Sequence, residues 1–188
     1  MSNVLRRAPD RVDSAPYSAR HIANYFLDKA ESEGRPITQM KLHKLVYIAY
    51  GWYIALMKAR LFDDRIEAWE HGPVVTGIRE EFRNFGREPI TVKSIDFDLD
   101  TFTELEPEVP SSDVHTHVVL DRVWESYKRF SAAALRSKTH QRGSPWDKAF
   151  RDGAGYGSTI DDEDIASHYR ERISLYIDAA KGIEQSID

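Results

Sequence analysis

"MKLHKLVYIAYGWYIAL", residues 40–56, decides the fold. Leu42, Leu45, Val46, Ala49, Trp52, Tyr53 and Leu56 recur at steps of three and four, the period of one helix face. No other stretch carries so strong a periodic signal. Thr38 stands just ahead, where a hydroxyl accepts from an exposed first-turn amide and starts the helix. Gly51 interrupts the run at a cost of about 1 kcal/mol against alanine. A mid-helix glycine permits close approach of a neighbour, so another helix is expected to cross there.

Upstream, Ser18 opens a helix with Ile22, Ala23, Tyr25, Phe26 and Ala30 as its apolar stripe, and Gly34 stops it. Downstream, Leu61-Phe62 and Asp63-Asp64 form a turn, and "RIEAW" (65–69) alternates as a short strand does. Gly72-Pro73 breaks that strand. Pro73 suits a first helical position, where its missing N–H goes unused. A third helix is therefore expected from Pro73, with Val75, Ile78 and Phe82 inward and Gly86 as its stop. "PITVKSIDFDLD" (89–100) alternates again, but its apolar parity shifts between Val92 and Ile95. That predicts a bulge or turn near Lys93-Ser94 and a small antiparallel sheet pairing this segment with "RIEAW".

Residues 96–113 hold many carboxylates and no Lys or Arg, and Pro107 and Pro110 oppose regular structure in the second half. A fourth helix follows from Ser112 or Asp113, with Val118, Val119, Val123, Trp124 and Tyr127 inward. Shorter ones start at Ser131 and at Ser144-Pro145-Trp146. After the glycine loop "DGAGYGS" a last helix runs from about Asp162 to Gly182, with Ile165, Tyr169, Ile173, Tyr176 and Ile177 on one face. The expected fold class is mainly α with a small antiparallel β element (α+β), a single compact helical domain over residues 17–183. Residues 1–16 read as a flexible polar tail.

Composition narrows the function. A hydrophobic content of 41% with 11% aromatics is enough for a core and unlike a disordered chain. A net charge of -5 speaks against a general nucleic-acid binder, which carries a basic footprint. The absence of cysteine excludes disulfides, thiolate nucleophiles and Cys-based zinc sites. No apolar run approaches the roughly 20 residues that span a bilayer, and the N-terminus lacks the apolar middle of a signal peptide. The expected compartment is the cytoplasm, with no membrane partner.

No catalytic pattern emerges. His115 and His117 are two apart at a helix start and do not share a face, so they make a poor zinc pair. No H-E-x-x-H and no G-x-S-x-G is present, and "GAGYG" lacks the G-K-[ST] of a phosphate loop and any preceding strand. Ser18, Ser131 and Ser144 sit where helix caps are needed. Asp96, Asp98 and Asp100 read as the solvated outer side of a strand, and the acids at 161–164 sit at a helix N-terminus, where the dipole favours them. Arg122, Lys128, Arg129, Arg136, Lys138, Arg142, Lys148 and Arg151 outweigh Asp121, Glu125 and Asp147. They form either a patch for an acidic partner or a helix surface neutralised by the acidic 96–113 run. In "EAWEHGPVV" (67–75) His71 is the one candidate base, with no acid or nucleophile expected beside it. The stretch reads as architecture: Trp69 in the core, Gly72-Pro73 at a corner, His71 hydrogen-bonding across it. No catalytic residue, metal site or cofactor is assigned.

The chain resembles the Panacea domain, the family of the SocA antitoxins and the phage-associated GepA-like proteins. The resemblance is carried by "MKLHKLVYIAYGWYIAL" (40–56), "LFDDRIEAWEHGPVV" (61–75) and the late Pro145-Trp146. Lys41, Leu42, Lys44, Leu45, Tyr47, Ala49, Ala68, Trp69, Gly72, Pro73, Val74 and Ile78 fit the family pattern, over about residues 17–180. Thr76 stands where proline is expected in many members, and Ile54 where leucine is commoner. The resemblance implies an antitoxin that neutralises a cognate toxin by protein contact, and SocA-type members also look like adaptors delivering the toxin to the ClpXP protease.

For such a task the candidate partner-binding residues are aromatic or charged groups off the core stripe. They are His43, Lys44, Tyr47 and Tyr50 on the flank of the second helix, and His71 and Arg79 near the corner. The arginines of the tail, Arg6, Arg7 and Arg11, are a further candidate. Gly51, Trp69, Gly72, Pro73 and Trp146 are expected to be structural. Two alternatives stand beside the antitoxin reading. One is a DNA-binding autoregulator using the first two helices as helix-turn-helix, which the apolar second helix and the acidic charge oppose. The other is a hydrolase using His71.

Overall fold

Helix α2 (Gln39–Met57) runs through the middle of the molecule, and the other elements are laid around it. The computed structural model describes residues 15–184, with side chains placed through Leu175. The expected tail, with Arg6, Arg7 and Arg11, falls almost wholly outside the described residues. So do the side chains of Tyr176 and Ile177. The fold is mainly α with a small β element. Around α2 stand α1 (Ala19–Ser32), α3 (Thr76–Phe82), α4 (Val114–Tyr127), α5 (Ala132–Thr139), α6 (Pro145–Phe150) and α7 (Asp162–Glu184). Two antiparallel hairpins complete it, β1 (Ile66–Trp69) with β2 (Gly72–Val75), and β3 (Asp96–Asp98) with β4 (Thr103–Leu105).

Helix α2 differs from its one-stripe reading. It is enclosed by α7, α4, α5, α1, α3 and β2, so residues on both sides of the stripe are buried, His43, Lys44, Tyr47, Ile48 and Tyr50 among them. Leu56, placed on the stripe, is exposed instead. Thr38 caps as expected, accepting from the Lys41 amide. Gly51 meets the predicted crossing. A Cβ there would clash with the Tyr169 ring of α7, so the ring rests directly on the α2 backbone.

The serine caps expected at α5 and α6 form, and the one expected at α1 does not. Ser131 and Ser144 accept from Ala134 and Asp147 amides. Ser18 does not cap; its hydroxyl meets His21 Nδ1, and the Ala19 amide donates to Asp64 Oδ2 at 2.7 Å. Asp64 reaches that amide past Gly77, whose missing side chain leaves the space it occupies. On α4, Val118 is exposed and Leu120 takes the buried place expected of it.

The hairpins revise the strand assignments. "RIEAW" pairs with "GPVV" and not with residues 89–100, and the third helix begins at Thr76 and not at Pro73. Proline is tolerated in β2 because of its register. Its partner Ala68 turns both backbone groups the other way, its amide donating to Ser158 O and its carbonyl accepting from the Gly157 amide. Pro73 therefore faces no acceptor that its missing N–H would have to serve. The glycine loop does more than turn the chain: residues 157–160 lie beside β1 as a third, irregular strand.

The parity shift at Lys93-Ser94 is a break and not a bulge. Asn24 of α1 clasps Ser94 there, accepting from its amide at 2.8 Å and donating to its carbonyl at 3.0 Å. The strand that follows presents Phe97 outward. Asp96 turns inward to Arg20, and Asp98 accepts from the Asp100 and Thr101 amides of the turn. Asp96 and Asp98 are thus half-buried and not on the solvated side expected for them, whereas Asp100 is exposed in the turn as expected.

Candidate functional site

The tip of the first hairpin and the N-terminal half of α2 enclose a hollow of about 330 Å³. Its walls bring together His43, Lys44, Trp69, Glu70, His71, Arg79 and Tyr156. Four of the six candidate partner residues therefore meet at one place. Tyr47 and Tyr50 do not. Tyr47 packs edge-on against Tyr169, and the Tyr50 hydroxyl donates to Asp162 Oδ1 at 2.7 Å, so both tie α2 to α7.

The hairpin turns at Glu70-His71, and Gly72 follows with φ 103°, a conformation that disfavours a side chain. A Cβ at Gly72 would also crowd the Lys44 ammonium and the His140 ring. Lys44 is 2% exposed and donates to Pro73 O at 2.9 Å. Burial, reinforced by Arg136, pulls its pKa down to about 7. His43 accepts at Nδ1 from the Val75 amide, 3.2 Å away. Burial, with the charges of Lys44 and Arg79, lowers its pKa to about 3. The ring is thus neutral, with its proton on Nε2.

Trp69 is half-buried and not a core residue. Its indole N–H donates to Glu67, its ring lies 5.2 Å from that of Tyr156, and the Arg79 guanidinium sits 4.5 Å over it. The late Pro-Trp braces this from behind: Trp146 donates to Trp69 O at 2.8 Å, stacks on Phe150 and touches His140. It is His140, and not His71, whose ring reaches across the turn, with Nε2 3.2 Å from Glu70 O and Nδ1 2.8 Å from Arg136 O. Burial lowers the pKa of His140, against these two carbonyls. Nothing in the sequence marked His140 or Tyr156, since each reaches the hairpin only through folding. His71 and Arg79 are exposed at the lip.

The arrangement presents a rigid turn with a cation-capped indole, over two buried basic groups held by backbone carbonyl and amide. Among the described residues no group of three His, Asp or Glu side chains is placed to hold a metal ion. No helix of the described residues is long and apolar enough to cross a membrane. Helix α2 is enclosed and cannot lie in a DNA groove.

A mainly helical domain carrying a braced hairpin with an aromatic-cationic lip is thus the class defined here. The chain belongs to the SocA-like antitoxin family of the Panacea domain, whose profile matches residues 42–147, from α2 through α6. It is 30% identical over 182 residues to Antitoxin SocA of Caulobacter vibrioides (strain NA1000 / CB15N), covering 95% of this chain and 94% of that one. No solved structure matches.

Proposed function

We propose that the chain is an antitoxin that neutralises a cognate toxin by direct protein contact, and that the hairpin hollow is part of the contact surface. The observation that carries this is the likeness to an antitoxin along nearly the whole chain. The hollow adds a surface of the right kind. A standard interface buries about 800 Å² per partner, and a few Trp, Tyr or Arg anchors supply most of its energy. Trp69, Arg79 and Tyr156 form such a cluster, with His71 beside them. His43 and Lys44 support it from beneath by fixing β2, and Tyr47 and Tyr50 act further off by holding α7. The proposed setting is the cytoplasm, and the adaptor form of the proposal adds delivery of bound toxin to ClpXP.

Co-expression with the product of the adjacent reading frame tests this. Growth is rescued and the two proteins co-purify, and Arg79→Glu weakens capture about tenfold with the melting temperature unchanged. Absence of any complex with that product would overturn the antitoxin reading. Rescue that disappears in cells lacking ClpXP supports delivery; rescue that persists supports sequestration alone.

A further inference from the structure

A second concave surface lies at the other end of α2, in a groove of about 400 Å³ between the last turns of α2 and helices α4, α5 and α7. Leu56 and Val118 line it and are 48% and 56% exposed. Three cations, Arg122, Lys138 and Arg172, stand round it. None of the three pairs with a carboxylate among the described residues. Arg172 meets the neutral Gln141 and His168, and Lys138 lies 4.8 Å over the Phe130 ring. Neighbouring bases are neutralised: Lys128 by Glu33 and Glu125, Lys148 by Asp164. In a chain of net charge -5, an apolar groove ringed by cations that have no carboxylate partner among the described residues is a local inversion of the surface.

We propose that this groove receives an acidic amphipathic helix of the toxin; the proposal rests on the antitoxin reading above. Exposed aliphatic walls gain from covering by an apolar face, and the cations select carboxylates on its flanks. Apart from Phe130 in the α4–α5 turn the walls are helical and offer no strand edge to extend, so the fitting mode is a helix laid in a groove, with apolar residues at i, i+3 or i+4, and i+7. Of the basic residues noted in the sequence, Lys128 and Lys148 are thus neutralised within the fold, while Arg122 and Lys138 are turned to a partner.

The test uses the full chain and a fluorescent helical probe of about 15 residues, leucines on one face and glutamates elsewhere, beside a twin with lysines for glutamates. Anisotropy shows the glutamate probe bound and weakened by salt. The double variant R122E/K138E lowers affinity about tenfold and Val118→Asp lowers it comparably, each with an unchanged melt, while the lysine twin binds less tightly. Arg172→Gln provides a milder variant if the double reversal does not fold. Equal binding of both probes, or indifference to these substitutions, overturns the proposal. Self-association abolished by the same substitutions also overturns it, because a second copy then fills the groove. With the adjacent gene product in place of the probe, R122E/K138E lowers capture about fivefold or more. A chain that captures no toxin while still binding the probe sinks the antitoxin reading; intact toxin capture by R122E/K138E sinks the groove alone.

Discussion

A neutral imidazole at His43 fastens α2 to β2, because only an unprotonated Nδ1 accepts the Val75 amide. Its pKa falls from 6.5 to about 3 in the fold, so the unfolded chain takes up the proton first as pH drops. The stability tied to this ring is therefore whole above about pH 6.5 and is lost progressively toward pH 3. Lys44 is also shifted down, from 10.5 to about 7, and loses its share between those values, outside that window. His43→Gln retains an acceptor that does not titrate. Urea unfolding at pH 7 and pH 5 is expected to show the parent losing on the order of 2 kcal/mol more than H43Q over that interval. Parallel losses would show that His43 is not responsible. The sequence signalled these residues as special but not where they lie. His43 and Lys44 fall beside the apolar stripe, and a lone helix would expose them. Only the hairpin and α5, arriving from distant parts of the chain, bury them and shift their protonation.

Among the elements, the α2–α7 crossing was legible and the first hairpin was not. Gly51 in an apolar run signals close approach whatever the partner, whereas Gly-Pro suits both a helix start and a strand that needs no donor. What chose the strand was the segment 157–160, which occupies the other side of Ala68 and frees Pro73 from hydrogen bonding. That segment is some ninety residues away and carries no strand pattern of its own. The aspartates of β3 were misplaced for a similar reason, since Arg20 and the turn amides draw them in and leave Phe97 outside. Helix propensity and packing make opposite predictions at Gly51. Alanine would gain about 1 kcal/mol of propensity, but its methyl would clash with the Tyr169 ring. Gly51→Ala is expected to lower stability by about 2 kcal/mol net, because overpacking in a closed core dominates. Combining it with Tyr169→Leu should recover part of the loss. A stabilised G51A, measured by thermal melting, would mean that α7 does not press on α2.

At the scale of the molecule, α2 separates the two proposed contact surfaces. The hollow contains His43 and the groove contains Leu56, 13 residues on, about 20 Å along a helix rising 1.5 Å per residue. Both ends are built on one buried helix, so neither surface is expected to move against the other. Substitutions so far apart, with no shared partner, change free energies additively to within about 0.5 kcal/mol. If one toxin spans both, the affinity losses caused by Arg79→Glu and R122E/K138E multiply in the combined variant. If the groove serves a different molecule, the groove substitutions leave toxin affinity as it was and the combined variant matches R79E. Titration calorimetry of the three variants against the same toxin separates these outcomes. A loss in the combined variant well below the product would show that the surfaces are coupled through α2, and the rigid-helix premise would fail with it.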